Sequence, residues 1–392
     1  MRDVVITSAV RTAIGYFGGT LKDVLPADLA KVVIKKAMDR SSVKGEEIDD
    51  VILGCVLQRS DEPNVGRVAA LKAGIPVEVP GYTVNRLCAS GLQAVVNAAQ
   101  VIKLNEADII VAGGVENMSA APYVLRGARW GYRLRHGEVT DTLWEGLTDP
   151  IRSIIMGETA ENLAEKYKIT REEQDEYAAR SQMRATRAIV EGKFKEEIVP
   201  LMVPQTRGEP IKFDKDEFPR AGISKEKLAL YPTVFKKGGT VTPGNSCGIN
   251  DGAAALIVMG QDVAKKRKIE PMAKILSYAV AAVDPAIMGI GPVYAIPKAL
   301  KKAGLELKDM DLIELNEAFA AQVLAVDREL HFDHDKLNVN GGAIALGHPV
   351  GCSGARILVT LLYAMKNRNS KYGLAALCVG GGQGIAMVVE RM

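Results

Sequence analysis

The 392-residue chain is poor in the residues that build metal centres and disulfide frameworks. It holds only five cysteines and four histidines, and the cysteines (55, 88, 247, 352 and 378) show none of the close pairings that ligate zinc. An odd number cannot all pair within one chain, so the expectation is reduced thiols in a reducing compartment and no metal site. Charge of one sign is also missing: 50 basic against 47 acidic side chains leave a net +3, which gives no reason to expect nucleic acid. No apolar run is long enough to cross a bilayer. Neither a secretory nor an arginine-rich leader opens the chain, and its Glu390-Arg391-Met392 end is not a peroxisomal signal. These absences lead us to expect a cytoplasmic protein without membrane partners. No dinucleotide fingerprint follows the first strand-like run, Val4 to Ala9, which argues against a nicotinamide-dependent dehydrogenase.

What is present is a weak internal repeat, with chance similarity of common βα units as the plainer alternative. Residues 29–56 run from an amphipathic helix through a polar turn to a strand after two aspartates, and residues 293–317 repeat that pattern. VNRLCASG (84–91) opens a helix with Leu92, Val95, Val96 and Ala99 on one face. GGAIALGHPVGCSG opens another with Leu358, Leu361, Leu362 and Met365 at the same spacing. Each helix leads to an apolar strand ending in glycines, ADIIVAGG (107–114) and YGLAALCVGGG (372–382). Alternating strands and helices predict two α/β halves with mostly parallel strands, packed as an α/β/α/β/α body. Residues 1–116 form the first half, completed by a strand at about 251–267, and residues 268–392 form the second. Residues 117–250 are a less regular loop domain.

Three positions stand out chemically. Cys88 sits where a helix begins, among small residues, and a helix N-terminus favours a thiolate by roughly 0.3–1 kcal/mol; a packed, inert cysteine fits the local sequence as well. His348 lies in a glycine-dense turn, where an imidazole can take a proton or donate to an oxyanion, or simply be solvated. Cys378 ends a strand before Gly380, Gly381 and Gly382, whose amides suit an oxyanion hole; a structural strand cysteine is the plainer alternative. In NEAFA (316–320), Asn316 suits a water or a thioester oxygen, and Glu317 suits orienting His348 or capping the next helix. Cys352 and Cys55 read as packing residues. The basic stretch 125–136 reads as a solvated loop or subunit contact ahead of a rim for phosphates.

Taken together, AVRTAIGYFGG (9–19), VNRLCASG, AGGVENMS (112–119), MGETAEN (156–162), TPGNSCGINDGAA (242–254), NEAFA, GGAIALGHPVGCSGAR and CVGGGQG resemble the thiolase family along the whole chain. In length the chain resembles the family's tetrameric short-chain acetyl-CoA acetyltransferases. The resemblance implies the thiolase fold of two duplicated halves plus a loop domain. It also implies Claisen condensation of acetyl-CoA to acetoacetyl-CoA and CoA, or the reverse thiolysis, through an acyl-cysteine. A longer-chain 3-ketoacyl-CoA thiolase of β-oxidation is the alternative. Cys88 would be the nucleophile, His348 its base and Cys378 the α-proton acceptor. Asn316 with His348, and the amides of Cys88 and Gly380, would hold the two oxyanions.

For CoA, the resemblance points to Arg220, Ser246, Cys247, Gly248, Met156, Met288, Ala318 and Phe319. It implies no cofactor, CoA thioesters being substrates, and a homotetramer or else a dimer. The chain departs from the usual pattern at Cys247, Ala89 and Ile155, which leaves acyl-length preference open. A decarboxylating ketoacyl synthase would not need a cysteine at 378, and an acyl-CoA carrier would gain nothing from it.

Overall fold

The computed structural model describes residues 2–205 and 207–392. The first half runs β1 (Val4–Arg11), α1 (Pro26–Ser41), β2 (Asp50–Gly54), α2 (Val65–Lys72), β3 (Gly81–Val84), α3 (Ser90–Lys103) and β4 (Ile109–Asn117). The excursion that follows carries α4 (Met156–Tyr167) and α5 (Arg171–Val190), and the chain then returns as β5 (Asn250–Gly260). The second half runs β6 (Ala273–Ala282), α6 (Gly291–Ala303), β7 (Leu312–Leu315), α7 (Ala320–Leu330), α8 (Val350–Arg368), β8 (Tyr372–Val379) and β9 (Gln383–Arg391).

The strands lie in the order β3-β2-β4-β5-β1 and, continuing, β6-β9-β8-β7. The halves meet where Val5 and Ile6 of β1 pair with Lys274 and Ala273 of β6. The two orders mirror each other about this seam, as a duplication requires. The expectation of mostly parallel strands is corrected. Only β2/β3, β2/β4 and β7/β8 are parallel. In each half, a strand that arrives without a helical crossover runs antiparallel. β9 follows β8 through a tight turn containing Gly381 and Gly382, both at positive φ, and so pairs with it as a hairpin. β5 returns from the excursion to run against β4 and β1.

Strand residues alternate between cores on opposite faces. Along β8, Leu374, Ala376 and Cys378 face one core, while Ala375, Leu377 and Val379 face another. The middle core holds the apolar faces of both α3 (Leu92, Val95, Val96, Ala99) and α8 (Leu358, Leu361, Leu362, Met365). Sheets on both sides cover these helices, so α8 is buried from Val350 to Met365. α1 and α2 cap the outer face of one half, and α6 and α7 that of the other, which completes the five layers. α3 and α8 approach closely at their N-termini: a Cβ on Gly354 would lie 2.4 Å from the Leu92 amide nitrogen, and one on Gly91 2.7 Å from that of Ala355. This contact brings the two helix-entry loops, and the groups they carry, side by side.

Candidate active site

Cys88 lies two residues before α3 in a constrained turn. Leu87 adopts φ +45°, rare for a residue with a bulky side chain. Ser90 holds this geometry by accepting from the Arg86 amide at 2.9 Å and donating to the Leu87 carbonyl at 2.7 Å. The thiol is only partly covered, and it packs on Met118, Leu143 and Val350. Burial pushes it up to about 11, against the pull of the Gly380 and Cys88 amides, which favour its anion. Desolvation outweighs these amides, and the resting group is a thiol.

His348 enters from the equivalent loop before α8. Its amide donates to Asn250 Oδ1 at 3.0 Å, and Asn250 Nδ2 donates in turn to the Gly15 carbonyl. On the ring, Nδ1 lies 2.5 Å from Ser353 Oγ and Nε2 lies 3.5 Å from Asn316 Nδ2. Burial, helped by the Arg356 guanidinium, lowers the imidazole to about 3, so it is neutral at physiological pH. Asn316 Oδ1 is buried with no partner among the described residues.

Glu317 neither orients His348 nor caps α7. Its carboxylate accepts from Tyr177 and Ser181 hydroxyls, Asn338 Nδ2 and the Ile344 amide, tying the loop domain to the turn that precedes His348. Sequence reasoning gave Glu116 no role. This buried carboxylate accepts from the Val56 and Leu57 amides and from the Gly351 amide at 2.8 Å, clamping the N-terminus of α8 to the first half.

Cys378 is buried at the end of β8. Desolvation pushes its thiol well up, and charge on Cys88 or Cys247 would push it further. A cavity of about 510 Å³, within the usual range for small-molecule sites, is lined by Cys247 but by neither Cys88 nor Cys378. His348, Met156, Arg220, Ser246, Gly248 and Phe319 also line it, as do Met118, Leu143 and Val350, the cluster against which Cys88 packs. Arg220 sits over the Phe218 and Tyr231 rings and donates to the Tyr231 hydroxyl. The wall also includes Tyr16 and Phe17, from the AVRTAIGYFGG segment, and Trp144 and Phe235, which no sequence motif had flagged.

Two of the residues assigned to CoA lie behind this wall. Ala318 is buried and accepts the Cys247 amide at 3.0 Å, and Met288 is packed in the outer core of the second half. None of the residues 125–136 lines the cavity; they belong to an exposed hairpin (Tyr123–Arg126 with Glu138–Asp141) and its loop.

Residues 4–262 match the family model described as thiolase, N-terminal domain, and residues 269–391 match the thiolase C-terminal domain. The acetyl-CoA acetyltransferase of Syntrophomonas wolfei is 54% identical over an alignment of 396 residues that covers both chains completely. The crystal structure of the Bacillus anthracis acetyl-CoA acetyltransferase superposes with a TM-score of 0.99 at 53% identity, covering 100% of this chain and 99% of that one. That of human mitochondrial 3-ketoacyl-CoA thiolase in complex with CoA superposes at 0.96 and 48% identity, over 100% and 98% of the chains. Motifs, duplicated fold and full-length similarity agree, and the chain belongs to the thiolase family.

Proposed function

We propose that this thiolase is an acetyl-CoA acetyltransferase, joining two acetyl-CoA molecules into acetoacetyl-CoA and CoA and running the same steps backward as thiolysis. The observation that supports the reading is a cavity lined by neutral His348, with Cys88 packed against the Met118, Leu143 and Val350 that also line it and held by the amide of Gly380, two residues past Cys378. The Gly380 amide beside Cys88 and Asn316 beside His348 are suited to oxyanions.

In the forward direction Cys88 attacks the first thioester while His348 Nε2 takes its proton. The Cys88 thiol is raised and the imidazole lowered, so a free ion pair is disfavoured, and proton transfer accompanies attack rather than preceding it. The amides of Cys88 and Gly380 hold the oxyanion as it forms, an effect worth roughly 10²–10³-fold per donor. CoA departs as its thiol with the proton from Nε2, leaving acetyl-Cys88. Cys378, having first lost its own proton to solvent, then removes an α-proton from the second acetyl-CoA as a thiolate, and passes that proton on to Cys88 when the latter leaves. Asn316 through a water, and His348 when Nε2 carries a proton, hold that thioester oxygen. The carbanion attacks acetyl-Cys88 and the Cys88 thiolate leaves, taking up a proton. These steps require neither a metal nor a cofactor.

Crowding of Cys88 by Met118, Leu143 and Val350 supports a short acyl group over a long one. The cation of Arg220 near the cavity, flanked by aromatic rings, supports a CoA nucleotide. A homotetramer, with a dimer as the alternative, is supported by the free edge of β3 and by exposed apolar residues on the 123–141 hairpin, among them Trp130, 86% exposed. A cytoplasmic site is part of the reading; among the described residues no helix is long and apolar enough to cross a membrane.

Labelled acetyl-CoA is expected to leave acetyl on Cys88, located by peptide mass spectrometry. The Cys378→Ala variant is expected to take up the label yet release no acetoacetyl-CoA. Label on another residue removes the nucleophile assignment, and normal condensation by the variant removes Cys378 as the base.

A further inference from the structure

We propose that Ser353 is a positioning residue: its hydroxyl fixes the proton of neutral His348 on Nδ1 and so presents a bare Nε2 to Cys88. The inference deepens the proposed acyl transfer and rests on His348 acting there as the base.

The argument is a count of hydrogens. Ser353 Oγ carries one proton and lies 2.8 Å from the Pro349 carbonyl, which can only accept. With that proton on the carbonyl, which also accepts the Cys352 and Ser353 amides, Oγ meets the imidazole 2.5 Å away as an acceptor and Nδ1 donates. A neutral imidazole has one N–H, hence Nε2 holds a lone pair. Its neighbour at 3.5 Å is Asn316 Nδ2, a donor, which fits a bare nitrogen and would oppose a protonated one. The i→i−4 bond from Ser353 to Pro349 also ties the hydroxyl to the first turn of α8, so it shares the position of the backbone that carries His348.

The choice of a hydroxyl matters. Orienting partners of catalytic histidines are commonly carboxylates, which stabilise the imidazolium as well as the tautomer. Two buried carboxylates near this loop, Glu116 and Glu317, are committed to other donors. A neutral partner selects the tautomer without holding a positive charge, in keeping with an imidazole lowered to about 3. His348 then acts as an acid at Nε2 only with a proton it has first taken there, from Cys88.

Nitrogen-15 NMR of histidine-labelled, sedimented enzyme, with His348 assigned by a His348→Gln comparison, is expected to show Nδ1 protonated and Nε2 bare. Ser353→Ala is expected to move the population toward Nε2–H, the tautomer favoured in water. It should also slow acetylation of Cys88 by roughly tenfold, less than loss of the base itself. Ser353→Thr, which keeps the hydroxyl, is expected to restore both. An Nε2–H signal for His348 in the unsubstituted enzyme overturns the proposal. So does a Ser353→Ala enzyme with unchanged tautomer and rate. Failure of the acyl-transfer reading looks different: the unsubstituted enzyme would not label Cys88, whatever the tautomer.

Discussion

The loops Asn85–Gly91 and His348–Gly354 are the same piece of the duplicated chain used for two purposes. In each, a serine and a glycine, Ser90-Gly91 and Ser353-Gly354, stand at the start of a central helix. Each serine hydroxyl donates to the carbonyl three or four residues back. The differences lie just upstream. The first loop has Leu87 in a left-handed conformation and Cys88 packed on residues that line the cavity. In the second, the counterparts Val350 and Gly351 are already helical. A side chain at 351 has no room, because a Cβ would fall 2.6 Å from Glu116 Oε2 and 2.8 Å from Cys55 Cα. The second copy therefore carries its reactive group three residues earlier, as His348. Duplication supplied two helix termini at one place, and under the proposed reaction unequal packing decides which takes the nucleophile and which the base.

The sharpest way to break this division of labour is to remove the base. His348→Ala is expected to lower the rate of Cys88 acetylation roughly 10²–10⁴-fold, the usual range for a positioned proton acceptor, as read by single-turnover quench. The pH profile refines the point. A base works while unprotonated, and lowering its pKa extends the working range toward acid. With His348 at about 3 instead of 6.5, and Cys88 at about 11, kcat/KM for the acetyl donor is expected to stay level through pH 6–7. An acid limb with an apparent pKa near 6.5 would show that the imidazole is not desolvated as described, and the contrast between the loops would lose its electrostatic half.

Gly351→Ala tests the packing half. The added methyl must displace Glu116, whose carboxylate accepts the Gly351, Val56 and Leu57 amides in the interior. Overpacking of this kind costs roughly 1–3 kcal/mol, measured as a lower denaturation midpoint, and it should weaken catalysis by shifting His348. A variant as stable and active as the parent would mean that the second loop had room for a thiol after all.

How much of this was legible beforehand follows from how local each signal is. Cys88, His348 and Cys378 could be singled out because each lies at the end of a periodic element beside glycines, a pattern contained in a few consecutive residues. The repeat was readable for the same reason, as were the core faces of α3 and α8. Glu116 was not, because its partners lie 60 and 235 residues away and nothing near it in the sequence signals them. Glu317 was misjudged in the same way: its partners come from α5, from Asn338 and from the turn at Ile344, not from His348 or α7. Parallel pairing was overestimated because a βα rhythm does not tell a crossover from the hairpin at Gly381–Gly382. Ser353 drew no attention in the sequence, since its bond to the ring five positions earlier is made only in the folded chain.

The smallest effect separates the two serines themselves. Ser90→Ala removes the tether to the Arg86 amide and the Leu87 carbonyl, bonds that close a turn but touch no ionisable group. The expected cost is about 1 kcal/mol of stability, the usual value for such a local bond, with acetylation of Cys88 slowed only a fewfold. Its counterpart, Ser353→Ala, gives up a similar local bond and also the acceptor for His348 Nδ1. If the pair is correctly described, the two variants melt alike while only the second loses roughly tenfold in rate. Equal losses of rate would mean that both serines act by stiffening their loops, and the special role given to the second would go. The duplicated fold supplies its own control, with a serine before a glycine near the start of each central helix and a ring beside only one of them.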